Sequence, residues 1–137
     1  MSVKYKALKR IFKLVNVQRI MAQPYDKLQK TFKTAAAQPD IPELSHPGFD
    51  FSVFEINGFP VLYVKHKNPA KGVCVFVTGG GMLKYPKPSQ AKKVVTYAQK
   101  LGRDMILPYY PLCCGHNLYD VYDMMYELYK ELLIKYP

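Results

Sequence analysis

Hydrophobic and polar positions change their period as this chain proceeds. From 3 to 22, Leu8, Ile11, Phe12, Val15 and Ile20 recur at helical spacing, which predicts an amphipathic helix. Pro24 breaks the pattern, and Leu28, Phe32 and Ala36 predict a second, shorter helix over 25–37. Gln38 to Gly48 holds Pro39, Pro42 and Pro47 and reads as a connector. The period then drops to two. Phe49 to Ile56 alternates as a strand does, Asn57-Gly58 is the strongest short hairpin signal, and Pro60 to Lys67 returns. The return strand puts Val61 and Tyr63 on one face, Leu62 and Val64 on the other.

Val73 to Val77 shows no alternation. It is apolar throughout and rich in β-branched residues, so it reads as a strand buried on both faces, as in a parallel sheet. It ends in Thr78, Gly79, Gly80, Gly81 and Met82. Glycines here let the backbone turn sharply and approach a ligand with no Cβ in the way. Free N–H groups at the end of a buried strand suit an anion or an oxyanion. A tight strand-to-helix turn explains the same residues, and at this level both readings stay open.

Met82 to Pro88 is a loop, and Ser89 is the expected N-cap of a helix that runs to Leu101 and closes at Gly102. Its apolar side is Val94, Val95, Ala98 and Leu101. Asp104 to Tyr110 is the next strand, which Pro108 ends early or bulges. After the loop from Pro111 to His116, Asn117 caps a long helix to Tyr136. Leu118, Val121, Met125, Leu128 and Leu132 form its inner face, and Asp120 suits the positive end of its dipole. The order of arm, hairpin, strand, helix, strand, helix predicts a mixed sheet that becomes parallel.

Composition adds bounds. The 137 residues make one domain at most, and 49% hydrophobic with 22% charged residues is ordinary for a globular chain. The net charge of +10 points to anionic partners, either nucleic acid or a membrane surface. Much of it lies early: Lys4, Lys6, Lys9, Arg10, Lys13 and Arg19 have no acidic residue among them, and Lys27, Lys30 and Lys33 are relieved only by Asp26. The favoured reading is an arm packed on the body with a solvated basic face, because the apolar stripe has an ordinary width. The alternative is a basic module that binds anionic membrane or nucleic acid through these helices. No zinc-finger or RNP signature supports nucleic acid, which is not expected as a partner.

Cys74, Cys113 and Cys114 make a poor disulfide framework and fit a reducing, cytoplasmic setting. Cys74 reads as a small core residue; the adjacent pair lacks a second cluster to complete a metal site, so no metal is expected. No run reaches the roughly 18 apolar residues of a membrane span, and the N-terminus is no convincing secretory signal.

Three features, in this order, carry a family resemblance. Thr78-Gly79-Gly80-Gly81-Met82 looks like a His-Gly-Gly-Gly oxyanion motif, and Leu107-Pro108-Tyr109-Tyr110-Pro111-Leu112 is similar to a Tyr-Arg/Pro-Leu-Ala-Pro segment. His116 with Asp120 or Asp123 is like a Pro-Glu-His…Asp stretch. Together they resemble the N-terminal portion of an α/β-hydrolase, in the esterase and lipase branch similar to hormone-sensitive lipase. The resemblance runs from about Phe49 to the end. It implies three segments: a cap-like basic helical arm over 1–37, a proline-rich connector over 38–48, and the N-terminal half of the hydrolase domain over 49–137.

It also implies an oxyanion hole at Gly79, Gly80 and Gly81, with the N–H groups of Gly80 and Gly81 as donors and Thr78, Met82 and His116 in support. Thr78 stands where the family has His and still offers a hydroxyl donor. The family's G-x-S-x-G nucleophile elbow would begin beyond Lys135-Tyr136-Pro137. Ser2, Ser45, Ser52 and Ser89 sit in no such elbow, and His46 and His66 read as surface residues. The expectation is an esterase-like fragment with no catalytic residue and no cofactor. It is inactive alone, and its complete form takes a small acyl ester. Pairing with a C-terminal half, self-association, or contact with a membrane surface follows as the expected partnership.

Overall fold

The structure is a computed structural model that describes residues 22–24, 26–28, 30, 38–68, 70–79, 82–113 and 115–136. All but the last residue of the helix expected over 3–22, most of the one over 25–37, and Gly80 and Gly81 lie outside the described residues.

Two strands form the hairpin, β1 (Phe49–Ile56) and β2 (Phe59–His66), paired in register from Ile56 opposite Phe59 to Phe49 opposite His66. Asn57 and Gly58 make the turn with φ of 52° and 79°, the left-handed pair that a two-residue hairpin loop needs. β3 (Val73–Val75), α1 (Pro88–Leu101), β4 (Asp104–Pro108) and α2 (Leu118–Lys135) follow. The sheet order is β1-β2-β4-β3; β4 runs antiparallel to β2 and parallel to β3. The mixed sheet is thus the one the pattern predicts.

Helices cover both faces. On one, Leu62, Val64, Met105, Leu107 and Tyr109 pack with Ala91, Val94 and Ala98 of α1. On the other, Val61, Tyr63, Ile106 and Tyr110 pack with Val121, Met124 and Leu128 of α2. The odd–even split across β2 therefore holds.

The helix interiors shift from expectation. Leu101 and Leu118 are exposed, and Ala91 and Met124 take their places in the core. Both leucines sit at helix ends, where the chain already turns off the sheet. The N-cap of α1 falls two residues earlier than expected, at Lys87 in place of Ser89, so the helix starts at Pro88. The Lys87 backbone N–H donates to Gln90 Oε1 at 2.9 Å. Gly102 closes α1 at φ 60°, as expected. Asn117 caps α2 by accepting from the Tyr119 and Asp120 N–H groups, while Asp120 accepts from the Asn117 N–H.

The strand buried on both faces is β4, every residue of which is buried. β3 lies at the edge of the sheet and, although read from sequence as buried on both faces, is only partly covered: Val75 and, just beyond the strand, Val77 are 39% and 54% exposed. His66 is no surface residue. Its ring meets that of Phe49 at 4.4 Å, tilted by 57°, and its Nε2 lies 3.0 Å from the Ala98 carbonyl. His46 is half-buried and accepts from the Gly48 N–H at Nδ1.

Candidate functional site

The loop after β3 leaves the sheet at the C-terminal ends of the two parallel strands. Phe76 keeps one more ladder bond, donating to the Ile106 carbonyl at 2.7 Å. Thr78 is then buried and Gly79 exposed, with open space where a Cβ on Gly79 would sit. Backbone on the far side of the glycines is strained. Met82 adopts φ 56°, a left-handed conformation unusual for a side chain of its size.

Both ends of this loop are tied to the segment after β4. The Tyr110 hydroxyl donates to the Thr78 carbonyl at 2.7 Å in a buried bond. The Cys113 N–H donates to the Met82 carbonyl at 2.8 Å, and the Cys113 thiol lies 3.8 Å from the Met82 sulfur. Two residues of one loop thus hold the residues that flank Gly79 to Gly81. Sequence reading picked Thr78 and Met82 but missed Tyr110 and Cys113 as their holders. The only signal for them was their position beyond a neighbouring parallel strand, whose end must lie beside that of β3. Thr78 takes part through its carbonyl here, where its hydroxyl was the expected contributor.

His116 lies apart from this clamp. Its Nδ1 is 3.4 Å from Asp120 Oδ2, and its ring meets Phe59 of the hairpin edge-on at 5.0 Å. Its place is the junction between α2 and the hairpin. Tyr85 lies 6.3 Å from Tyr109, ring to ring, and burial raises the Tyr85 pKa. The Tyr109 hydroxyl is buried with no hydrogen-bond partner among the described residues, and burial, with Asp40 adding to it, pushes its pKa up to about 12. Among the described residues no group of His, Cys, Asp and Glu is placed to hold a metal.

Tyr110→Phe removes the buried bond to Thr78 while keeping the ring. A loss of about 1 kcal/mol in urea unfolding is expected, with faster amide exchange at Gly79 than in the parent. Unchanged exchange there would mean that the hydroxyl does not steady the loop.

No protein-family profile matches the chain, and no curated protein sequence does. Solved structures do resemble it. A candidate esterase from Staphylococcus aureus matches with a TM-score of 0.70 and 13% identity, over 85% of this chain and 41% of that one. An esterase from the bacterial hormone-sensitive lipase family matches with a TM-score of 0.57 and 16% identity, over 93% and 42%. An esterase/lipase from an uncultured bacterium matches with a TM-score of 0.55 and 16% identity, over 91% and 43%. The chain therefore has the fold of the N-terminal portion of an α/β-hydrolase, the fold it shares with these esterases. It spans about two-fifths of their length.

Proposed function

We propose that this chain is the oxyanion-hole portion of a serine carboxylic-ester hydrolase of the esterase and lipase kind. The observation that carries the reading is the clamp of Tyr110 and Cys113 on Thr78 and Met82. An oxyanion hole works only if its donors are fixed before charge develops, since reorganising them during the reaction forfeits the gain. Two anchors at both ends of a glycine loop are a way to fix it. In the complete enzyme the N–H groups of Gly80 and Gly81 stabilise the tetrahedral oxyanion of a small acyl ester. A third donor follows the nucleophile. One such donor is worth about 3 kcal/mol of transition-state stabilisation.

The 137 residues hold no G-x-S-x-G elbow, and donors without a nucleophile form no acyl-enzyme. The missing half of the site is supplied by a further segment that completes the sheet. The free thiols of Cys74 and Cys113 support a reducing, cytoplasmic setting. No helix among the described residues is long and apolar enough to cross a membrane.

The test uses p-nitrophenyl butyrate. These residues alone are expected to give no turnover above a denatured control. Joined to the downstream reading frame, or mixed with a complementary segment that carries the elbow, they should give turnover that a serine-directed phosphonate abolishes. Phosphonate-sensitive turnover by the 137 residues alone would overturn the reading.

A further inference from the structure

Charge in this protein is separated between the two helical layers. Between Asn57 and Arg103 the sequence has no aspartate or glutamate, while lysine recurs throughout. α1 lies within that stretch. Its Ala91, Val94 and Ala98 are buried on the sheet, and Lys92, Lys93 and Lys100 are exposed on the opposite side. At 3.6 residues per turn these three lysines fall within an arc of about 100°. α2, on the other face of the sheet, carries Asp120, Asp123, Glu127 and Glu131. Asp40 and Glu43 lie in the connector before β1. Glu43 lines a cleft with Phe51, Val53 and Leu62, beside β1 and β2 rather than on the helix.

We infer that the outer face of α1 is a docking surface for an anionic lipid bilayer. Charge complementarity supplies the attraction: a cluster of lysines near a negatively charged leaflet gains about 1 kcal/mol each, within a Debye length. Two further features favour lipid over nucleic acid. The charges are ammonium groups rather than guanidinium forks. Arg103, the one arginine among the described residues, donates to the Lys71 carbonyl instead. Lysines act as point charges in a diffuse field, whereas base and phosphate recognition draws on the planar arginine fork. Second, Tyr97 is 38% exposed beside the lysine arc, with its ring 5.5 Å from that of Phe76, and Leu101, which follows Lys100 at the end of the helix, is 55% exposed. An aromatic ring and a leucine next to lysines suit the headgroup boundary, where apolar parts sink and ammonium groups stay in water. The inference rests on α1 alone and stands apart from the ester-hydrolase reading.

Flotation of the full chain with phosphatidylcholine vesicles containing about one-third phosphatidylserine tests it, with pure phosphatidylcholine as the comparison. The chain is expected to float with the anionic vesicles only and to be released at about 0.5 M salt. The variant Lys92→Gln/Lys93→Gln/Lys100→Gln should lower the partition coefficient roughly 100-fold. Lys92→Glu/Lys93→Glu/Lys100→Glu should lower it further, with unchanged circular dichroism for both. A deletion of residues 1–22 should keep the dependence on these three lysines. Flotation of the triple variants at the parent's level would overturn the proposal. So would loss of all flotation on deleting 1–22, which would assign the membrane contact to the arm. Preferential capture by duplex DNA over the anionic vesicles would overturn it in favour of a nucleic-acid surface.

Discussion

At micromolar concentration the 137 residues are expected to sediment as species larger than their 15.8 kDa monomer. The cause is β3. Among the described residues it pairs with β4 alone, with the Phe76 N–H on the Ile106 carbonyl and the Asp104 N–H on the Gly72 carbonyl extending the ladder. In a parallel ladder alternate residues face one neighbour. Gly72 and Phe76 face β4, so the backbone groups of Val75 and Val77 face away from it. The side chains of those valines are exposed as well. A strand of high β-propensity with open N–H and C=O groups and no charge is a template for another strand.

The exposed side of α2 adds to the effect. Tyr119, Tyr122, Tyr126, Tyr129 and Leu133 recur at spacings of three and four, and all are exposed, with Tyr122 and Tyr126 stacked at 6.0 Å. An apolar helix stripe of this kind ordinarily packs on another element. A complementary segment that completes the sheet should therefore replace self-association by a defined heterodimer. Val75→Lys should shift the isolated chain toward monomer, since an edge lysine resists strand addition. A single sharp 15.8 kDa boundary, with slow amide exchange at Val75 and Val77, would show that the edge is already covered and would refute this expectation.

The second large effect is expected at Asp104. This buried carboxylate opens β4. It accepts from the Tyr63 hydroxyl at 2.8 Å, from the His66 N–H at 2.8 Å and from the Tyr136 hydroxyl. Three bonds thus join β2, β4 and the end of α2 at one point. Lys135 lies over the Tyr63 ring at 4.0 Å and closes the cluster. Asp104→Ala takes the acceptor from the His66 N–H and leaves the Tyr63 and Tyr136 hydroxyls only each other as partners. A loss of about 3 kcal/mol in urea unfolding is expected. Asp104→Asn keeps one acceptor oxygen and should lose less. A change below about 0.5 kcal/mol for the alanine variant would mean that water replaces the carboxylate at no cost.

The same cluster sets an alkaline limit. Burial above all, with Asp104 adding to it, pushes the Tyr63 pKa up to about 12. The Tyr136 pKa is raised by burial first, then by its bonds to Asp104 and Tyr63. A folded pKa above the unfolded value favours the native state while the group is protonated. That contribution is whole below about pH 10 and is lost as the pH climbs through 12. Of the twelve tyrosines, Tyr63, Tyr109 and Tyr136 should ionise last, in one step with unfolding. Absorbance of tyrosinate and circular dichroism, followed together, check this. Ionisation of all twelve near pH 10 with the fold intact would count against the cluster.

Local chemistry wrote much of this fold into the sequence. Asn57-Gly58 determined the hairpin and its register, because a two-residue turn with both φ positive accepts few other pairs. Asn117 and Gly102 marked helix ends through backbone groups within a few residues of them. Thr78 to Met82 announced itself as a backbone feature before any partner was known. Each of these signals needs only neighbours along the chain.

Tertiary structure decided what depends on distant partners. Val73 to Val77 and Met105 to Leu107 are both apolar runs, yet one is an edge and the other is enclosed on every side. Composition cannot rank them, since strand order is set by which segments reach each other after α1 crosses the sheet. Asp104 looked like a polar strand end; only the approach of Tyr63 and Tyr136, 41 and 32 residues away, makes a buried carboxylate tenable there. Leu101 and Leu118 follow the helical period and are still exposed, because the sheet beneath them ends before the helices do. The clamp on the glycine loop arises in the same way. Tyr110 and Cys113 meet Thr78 and Met82 across more than thirty residues, because parallel strands bring the loops at their C-terminal ends together.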